Sequence, residues 1–388
     1  MNQLTSEVFR ILEKVRKEGD RALEFYSLKF DKVNLSSSGL FPVAKKEMKR
    51  AFERIPSNLK SALILAKNRI ETFHKEELKQ LNRGWSKNIG GISVGQRALP
   101  ISCVGIYVPG GKTCYPSTVL MTVVPAKVAG VKEIVVVSPP RNLKDEILAA
   151  AYIAGVERLF GVGGPAAIAA IAYGTKSLPK VDKIFGPGNR YVTEAKRQLF
   201  GVVGIDALAG PSEIAVWADR SASPKKIALN LLAQAEHDPD ARSVLLTQEE
   251  SLLPLVKKEI PKIYLSQIEF IFNKNKEVIL EKINSLAPEH LWLALKNPKQ
   301  EFPFIKNAGA IFLGENTPVA LGDYIAGPSH VLPTGSSARF SSGLSVKDFY
   351  KWSSVIERKE KNIASLLNAA VTLAKAENLE NHALSLKE

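Results

Sequence analysis

The chain has 388 residues with a formal net charge of +14, 45% of them apolar and 24% charged. That length suits two domains or one elaborated α/β unit, and the ordinary globular mixture excludes a disordered or fibrous chain. No run approaches the ~18 apolar residues of a membrane span, the start Met1-Asn-Gln-Leu-Thr-Ser-Glu-Val8 lacks the features of a secretory signal, and two cysteines, Cys103 and Cys114, exclude a disulfide framework, so a cytoplasmic location is expected.

In chain order, residues 7–31 carry apolar side chains at helical spacing, from Val8, Ile11, Leu12 and Val15 to Ala22, Leu23 and Tyr26. A second helical stretch over 44–77 is broken by Pro56, and 85–102 reads as short strands with glycines. From 103 to 218 strand-like runs (104–108, 133–138, 158–160, 183–185, 213–217) alternate with helical segments (119–128, 143–155, 166–173, 190–199). Such alternation predicts a mostly parallel sheet covered on both faces, with ligands beyond the carboxyl ends of its strands. Ser223-Pro224 predicts a helix start running to about residue 236. Strands follow at 243–247 and 310–313, and the tail over 346–388 reads as helical. The basic residues are spread through helices that also carry glutamates, as in Lys45-Lys-Glu-Met-Lys-Arg-Ala-Phe-Glu53. That is a solvated face with local ion pairs, so neither nucleic acid nor membrane is an expected partner.

The chemistry concentrates around histidines. Of five, His237 lies in Ala233-Gln-Ala-Glu-His-Asp-Pro-Asp240, His290 in Ala287-Pro-Glu-His-Leu291, His330 at the end of Gly322-Asp-Tyr-Ile-Ala-Gly-Pro-Ser-His330, and His382 near the C-terminus. Each has a carboxylate or carboxamide within a few residues, which points to one assembled, metal-assisted site. Any one of them taken alone reads more simply as a core or surface histidine. Gln234 and His237, at i and i+3, share a helix face. With Asp323 and His382 they make two oxygens and two nitrogens, a set suited to zinc, with manganese or cobalt as alternatives. Glu289 and His290 are adjacent and so address different atoms, although Pro288-Glu289 alone reads as a helix start. Gly161-Val-Gly-Gly-Pro-Ala166 mimics a dinucleotide fingerprint, yet Asp182 precedes the following strand instead of ending it, so the run reads as a packing turn. A zinc hydrolase using Glu289 to activate water is the competing enzyme class.

Together these segments resemble the histidinol dehydrogenase family. The matching text is Gly105-Ile-Tyr-Val-Pro-Gly-Gly111, Val181-Asp-Lys-Ile-Phe-Gly-Pro-Gly-Asn189, Ala209-Gly-Pro-Ser-Glu213, Ala233-Gln-Ala-Glu-His-Asp-Pro-Asp240, Ala287-Pro-Glu-His-Leu291 and Gly327-Pro-Ser-His-Val-Leu-Pro-Thr334. Similarity begins at Val15-Arg-Lys-Glu-Gly-Asp20 and runs into the tail. The resemblance implies an NAD-dependent oxidation of L-histidinol to L-histidine through histidinal, with one zinc per subunit and a site shared between the subunits of a homodimer. It implies zinc ligands Gln234, His237, Asp323 and, from the other subunit, His382. Substrate would also meet Ser212, His290, His330 and Glu377, with Glu289 and His290 as the acid–base pair and Tyr107 and Asn189 on the cofactor. The family often has Gln where this chain has Ala166, and the chain is somewhat short, with trimmed segments between Thr247 and Asn284. The fold it implies is α/β with two Rossmann-like parallel-sheet domains: a substrate and zinc side over 31–106 with 213–345, and an NAD side over 107–212. Helical extensions would occupy 1–30 and 346–388.

Overall fold

The computed structural model describes residues 3–110, 114–236, 239–360 and 362–387. Contacts divide the chain into a larger body, within Met1–Leu78 and Ile101–Phe349, and a smaller one, within Lys79–Pro100 and Tyr350–Glu388.

The smaller body begins with β1 (Gly84–Ile89) and β2 (Ile92–Pro100). In the larger body, β3 (Cys103–Tyr107), β4 (Glu133–Ser138), β5 (Arg158–Gly161), β6 (Lys183–Phe185) and β7 (Gly204–Ile205) form a parallel sheet in the order β5-β4-β3-β6-β7. A second parallel sheet follows from β8 (Glu213–Ala218), β9 (Arg242–Thr247), β10 (Ile268–Phe272), β11 (His290–Ala294) and β12 (Ala310–Leu313), ordered β10-β9-β8-β11-β12. Each sheet starts at a central strand and grows to one side, then the other. That leaves a crevice where the order reverses, at β3/β6 in the first and β8/β11 in the second.

Burial explains why these runs become strands. Ile134 to Val137 are 8% exposed or less, as a parallel strand covered on both faces requires. Trp217 and Trp292, on adjacent strands of the second sheet, are 1% and 0% exposed. Burying a large apolar side chain of this kind contributes roughly 1.5–3 kcal/mol. The helix Gly164–Tyr173 is alanine-rich and buried from Ala166 to Ala172 against the first sheet.

The predicted helix over 7–31 is split at Gly19, whose φ of +56° ends Gln3–Glu18 and starts Asp20–Tyr26, followed by a π-helical turn at Ser27–Asp31. The tail is helical only from Ala364. Tyr350–Arg358 forms β13 instead, antiparallel to β2, and the helices Ala364–Ala376 and Glu380–Ser385 complete the smaller body. The tail reading fails because the strand is stabilised by pairing with a segment some 250 residues earlier, such as Tyr350 with Pro100, and local periodicity carries no sign of that partner.

Candidate active site

The second sheet brings two glutamates together at its amino edge. β8 and β11 run side by side with His290 opposite Ile214, so Glu213 and the Glu289-His290 pair meet where both strands begin. Ala287, held at φ +45°, turns the chain after the helix Lys276–Leu286, and Pro288 leads it into β11. The sequence reading of Pro288-Glu289 as a helix start is thereby corrected. The apolar run Leu291-Trp-Leu-Ala294 has more to gain as a central strand, where it is fully buried.

Glu289 and His290 are 6% and 5% exposed. The Glu213 N–H donates to Glu289 Oε2 at 2.9 Å, and His290 Nδ1 donates to the Glu213 carbonyl at 3.3 Å. Glu289 lies in the bend just before β11, and its Oε2 is 3.8 Å from His290 Nδ1. His290 Nε2 lies 3.6 Å from Asp323 Oδ1, on the short helix Ala320–Tyr324. Burial pushes the Glu289 carboxyl up to about 7, against the pull of His290 and of the Glu213 N–H. For His290, burial works downward, but Asp323 and Glu289 outweigh it and leave the imidazole above its ordinary value. Burial thus favours the neutral form of Glu289, and the neighbouring carboxylates favour the protonated form of His290.

The segment after Asp323 brings His330 to the same place. Its Nδ1 donates to the Asp323 carbonyl at 3.0 Å, which leaves Nε2 to accept from Thr118 Oγ1 at 3.3 Å. Ser329 Oγ anchors the same turn on the Met121 carbonyl at 3.0 Å. Thr118 is a neighbour that sequence reasoning missed, as is Glu213, quoted within Ala209-Gly-Pro-Ser-Glu213 without a role. The signal for Glu213 was present: an acidic residue opening an otherwise apolar strand. Ser212, half-buried, precedes β8 directly, and its carbonyl accepts from Arg242 N–H at 3.0 Å.

Gln234 ends the buried face of the helix Pro224–Ala235, and its Nε2 is buried with no hydrogen-bond partner among the described residues. Turning the amide over presents its oxygen to the same spot. His237, three residues later in the sequence, lies outside the described residues. Among the described residues no three His, Cys, Asp or Glu side chains converge as a metal site. Glu377 and His382 belong to the smaller body, where both are exposed, Glu377 closing the helix Ala364–Ala376 and His382 lying on Glu380–Ser385.

Tyr107 and Asn189 sit at the crevice of the first sheet. Tyr107 ends β3 and is 3% exposed, and its hydroxyl accepts from Gly164 N–H at 3.2 Å. Burial raises that phenol to about 12. Asn189 caps the helix Arg190–Leu199, its side chain accepting from Tyr191 and Val192 N–H. Gly163 is the packing turn expected, since a Cβ there would lie 2.6 Å from Pro139, and Ala166 is buried at 3%. Tyr107 and Asn189 lie at or just beyond the carboxyl ends of β3 and β6, whereas Glu213, Glu289 and His290 lie at the amino ends of β8 and β11. The chain leaves β7 at its carboxyl end and enters β8 directly through 206–212, with no intervening helix to return it to the other edge.

A family model described as Histidinol dehydrogenase matches residues 1–388. The chain belongs to the histidinol dehydrogenase family. Among its relatives, the histidinol dehydrogenase of Aquifex aeolicus is 49% identical over 394 aligned residues, covering 98% of this chain and 91% of the relative. That of Thermus thermophilus is 46% identical, covering 97% and 92%. A crystal structure of histidinol dehydrogenase from Elizabethkingia anophelis superposes with a TM-score of 0.92 at 34% identity, covering all of this chain and 92% of that one. As a member of the histidinol dehydrogenase family the chain is an NAD-dependent oxidoreductase with two parallel five-stranded sheets.

Proposed function

We propose that this chain oxidises L-histidinol to L-histidine by way of histidinal, a four-electron reaction using two NAD that completes histidine biosynthesis. The observation that carries this reading is the buried Glu289-His290 pair, held by the backbone of Glu213 and facing Asp323. The assembly proposed is a cytoplasmic homodimer, with no helix among the described residues long and apolar enough to cross a membrane.

Two groups are required, and the residues fit both. The orphaned Gln234 amide and the N/O donor set suit one zinc per subunit, held by Gln234, His237, Asp323 and His382 of the partner subunit. Gly186 and Gly188, where a Cβ would lie 2.1 Å from the Tyr107 carbonyl and 2.3 Å from Val192, leave a bare backbone turn at the β3/β6 crevice, where NAD would meet Tyr107 and Asn189. When bound, zinc supplies positioning and charge for the imidazole and amine of the substrate, and NAD supplies the hydride acceptor.

The chain's own groups handle the protons. His290 Nδ1–H is pinned to the Glu213 carbonyl, which leaves Nε2 as the basic nitrogen. It takes the hydroxyl proton of histidinol as hydride leaves the carbinol carbon, and the aldehyde forms. Glu289 then removes a proton from water as the oxygen adds to the aldehyde carbon, while protonated His290 returns its proton to the aldehyde oxygen, which gives the hydrate and leaves Nε2 free again. His290 takes a proton from the resulting hydrate as the second hydride departs, and the carboxylic acid results. Ser212, His330 and Glu377 would meet the substrate around this pair.

The test follows NADH absorbance with histidinol, before and after chelation. Two NADH per histidinol are expected, with loss of turnover on metal removal and recovery with zinc. A chain that makes no NADH from histidinol, or full turnover in verified metal-free protein, overturns the reading.

A further inference from the structure

A buried ion pair away from Glu289 and His290 grips both backbone groups of one residue, Gly186, in the turn after β6. Lys196 and Asp206 are 3% and 8% exposed and form a close ion pair. Lys196 Nζ also donates to the Gly186 carbonyl at 2.9 Å, and Asp206 Oδ2 accepts from Gly186 N–H at 2.7 Å. The remaining Asp206 oxygen accepts from Ala207 N–H at 2.6 Å. Gly186 is thus held at its N–H by the anion and at its C=O by the cation, at a φ of +107°.

We propose that Lys196 and Asp206 are positioning residues for NAD, setting the Gly186–Asn189 turn against the end of β3. The inference rests on the reading that this turn meets NAD. Replacing a buried ion pair with apolar side chains is often neutral or stabilising, so a pair retained in the core is poorly explained by stability. What an apolar pair cannot do is dictate where the N–H and C=O of one residue, in consecutive peptides, point. Gly186 needs that instruction because glycine at positive φ has no side chain to restrict it. Lys196 lies on the helix capped by Asn189, and Thr193 of the same helix donates to the Ala209 carbonyl at 2.9 Å. One helix therefore holds both the turn after β6 and the segment leading to Ser212.

The experiment measures NAD binding to the zinc-loaded enzyme by calorimetry, without histidinol, together with the melting temperature and the KM for histidinol. Three variants are compared with the parent chain: Asp206→Asn, Lys196→Met and the double substitution. Each single substitution leaves one buried charge uncompensated and should lower the melting temperature. The double removes both charges and should recover much of that loss. NAD affinity should instead fall at least about 10-fold in all three, the double included, with the histidinol KM nearly unchanged. Recovery of NAD affinity along with stability in the double variant, or unchanged affinity in folded Asp206→Asn, overturns the proposal. Should Lys196→Met fail to fold, the isosteric Asp206→Asn decides alone. A parent chain that does not bind NAD instead fails the functional reading and is recognised before any variant is compared.

Discussion

Glu213 and Glu289 meet across neighbouring parallel strands, the backbone N–H of one donating to the carboxylate of the other at 2.9 Å. Glu213 opens β8 and Glu289 lies one residue before β11, so the contact ties Glu289 to the point where the two strands begin. It supplies only one hydrogen bond to a carboxylate that is 6% exposed. Burial outweighs that bond and raises the carboxyl to about 7, so ionising it costs the fold stability.

That cost is measurable. The Glu289 carboxyl is raised from an ordinary value near 4.5 to about 7 in the folded chain, so the folded state prefers it neutral. Its contribution is fully present below pH 4.5 and is lost as pH rises through 7. Glu289→Gln keeps the acceptor for the Glu213 N–H but cannot ionise. In metal-free protein, the substitution should therefore raise the melting temperature at pH 8 and do little at pH 4.5, a difference of about 1–3 kcal/mol. Calorimetric scans of both chains at the two pH values check this. An equal shift at both would mean that ionisation of Glu289 is not what destabilises the fold.

Much of the architecture was legible because parallel strands buried on both faces announce themselves. Glu133–Ser138 and the helix Arg190–Leu199 lie where their apolar spacing places them. The Glu289-His290 pair was legible as text, in Ala287-Pro-Glu-His-Leu291, but not as geometry. Which edge of the sheet His290 occupies depends on the order β8-β11-β12 and on the direct passage from β7 to β8, and neither leaves a local trace. The same limit hid β13, whose partner is β2. It also hid Lys196 and Asp206, which read as an ordinary helix lysine and a loop aspartate until the fold buries them together on Gly186.

The proposed sharing of the site between subunits gives a mixing test. His237→Ala and His382→Ala proteins should each be inactive alone. If His382 serves the other subunit, a hybrid dimer carries one site with both histidines intact and one with neither. Free subunit exchange makes about half of the dimers hybrid, so activity should recover to about a quarter of the parent level. Mixtures shown by mass to have exchanged, yet still inactive, would place His382 in its own subunit's site, and activity of His382→Ala alone would place it outside the site.

The two halves of the reaction separate the roles of Glu289 and His290. Water addition is needed only for histidinal, whereas a proton must leave the oxygen in both oxidations. Glu289→Gln preserves size and the bond from Glu213 but removes the base, so it should slow histidinal oxidation by about 10²–10⁴ and histidinol-to-histidinal conversion far less. His290→Asn removes the imidazole facing Asp323 at 3.6 Å and should depress both steps by a similar factor. Single-turnover NADH formation from histidinol and from histidinal, measured separately, reads each step. Loss of only the alcohol step in Glu289→Gln, or both steps intact in His290→Asn, would reverse the assignment while leaving family membership untouched. A uniform loss in both variants with raised KM would instead mark the pair as substrate-binding groups whose buried acid–base character is incidental.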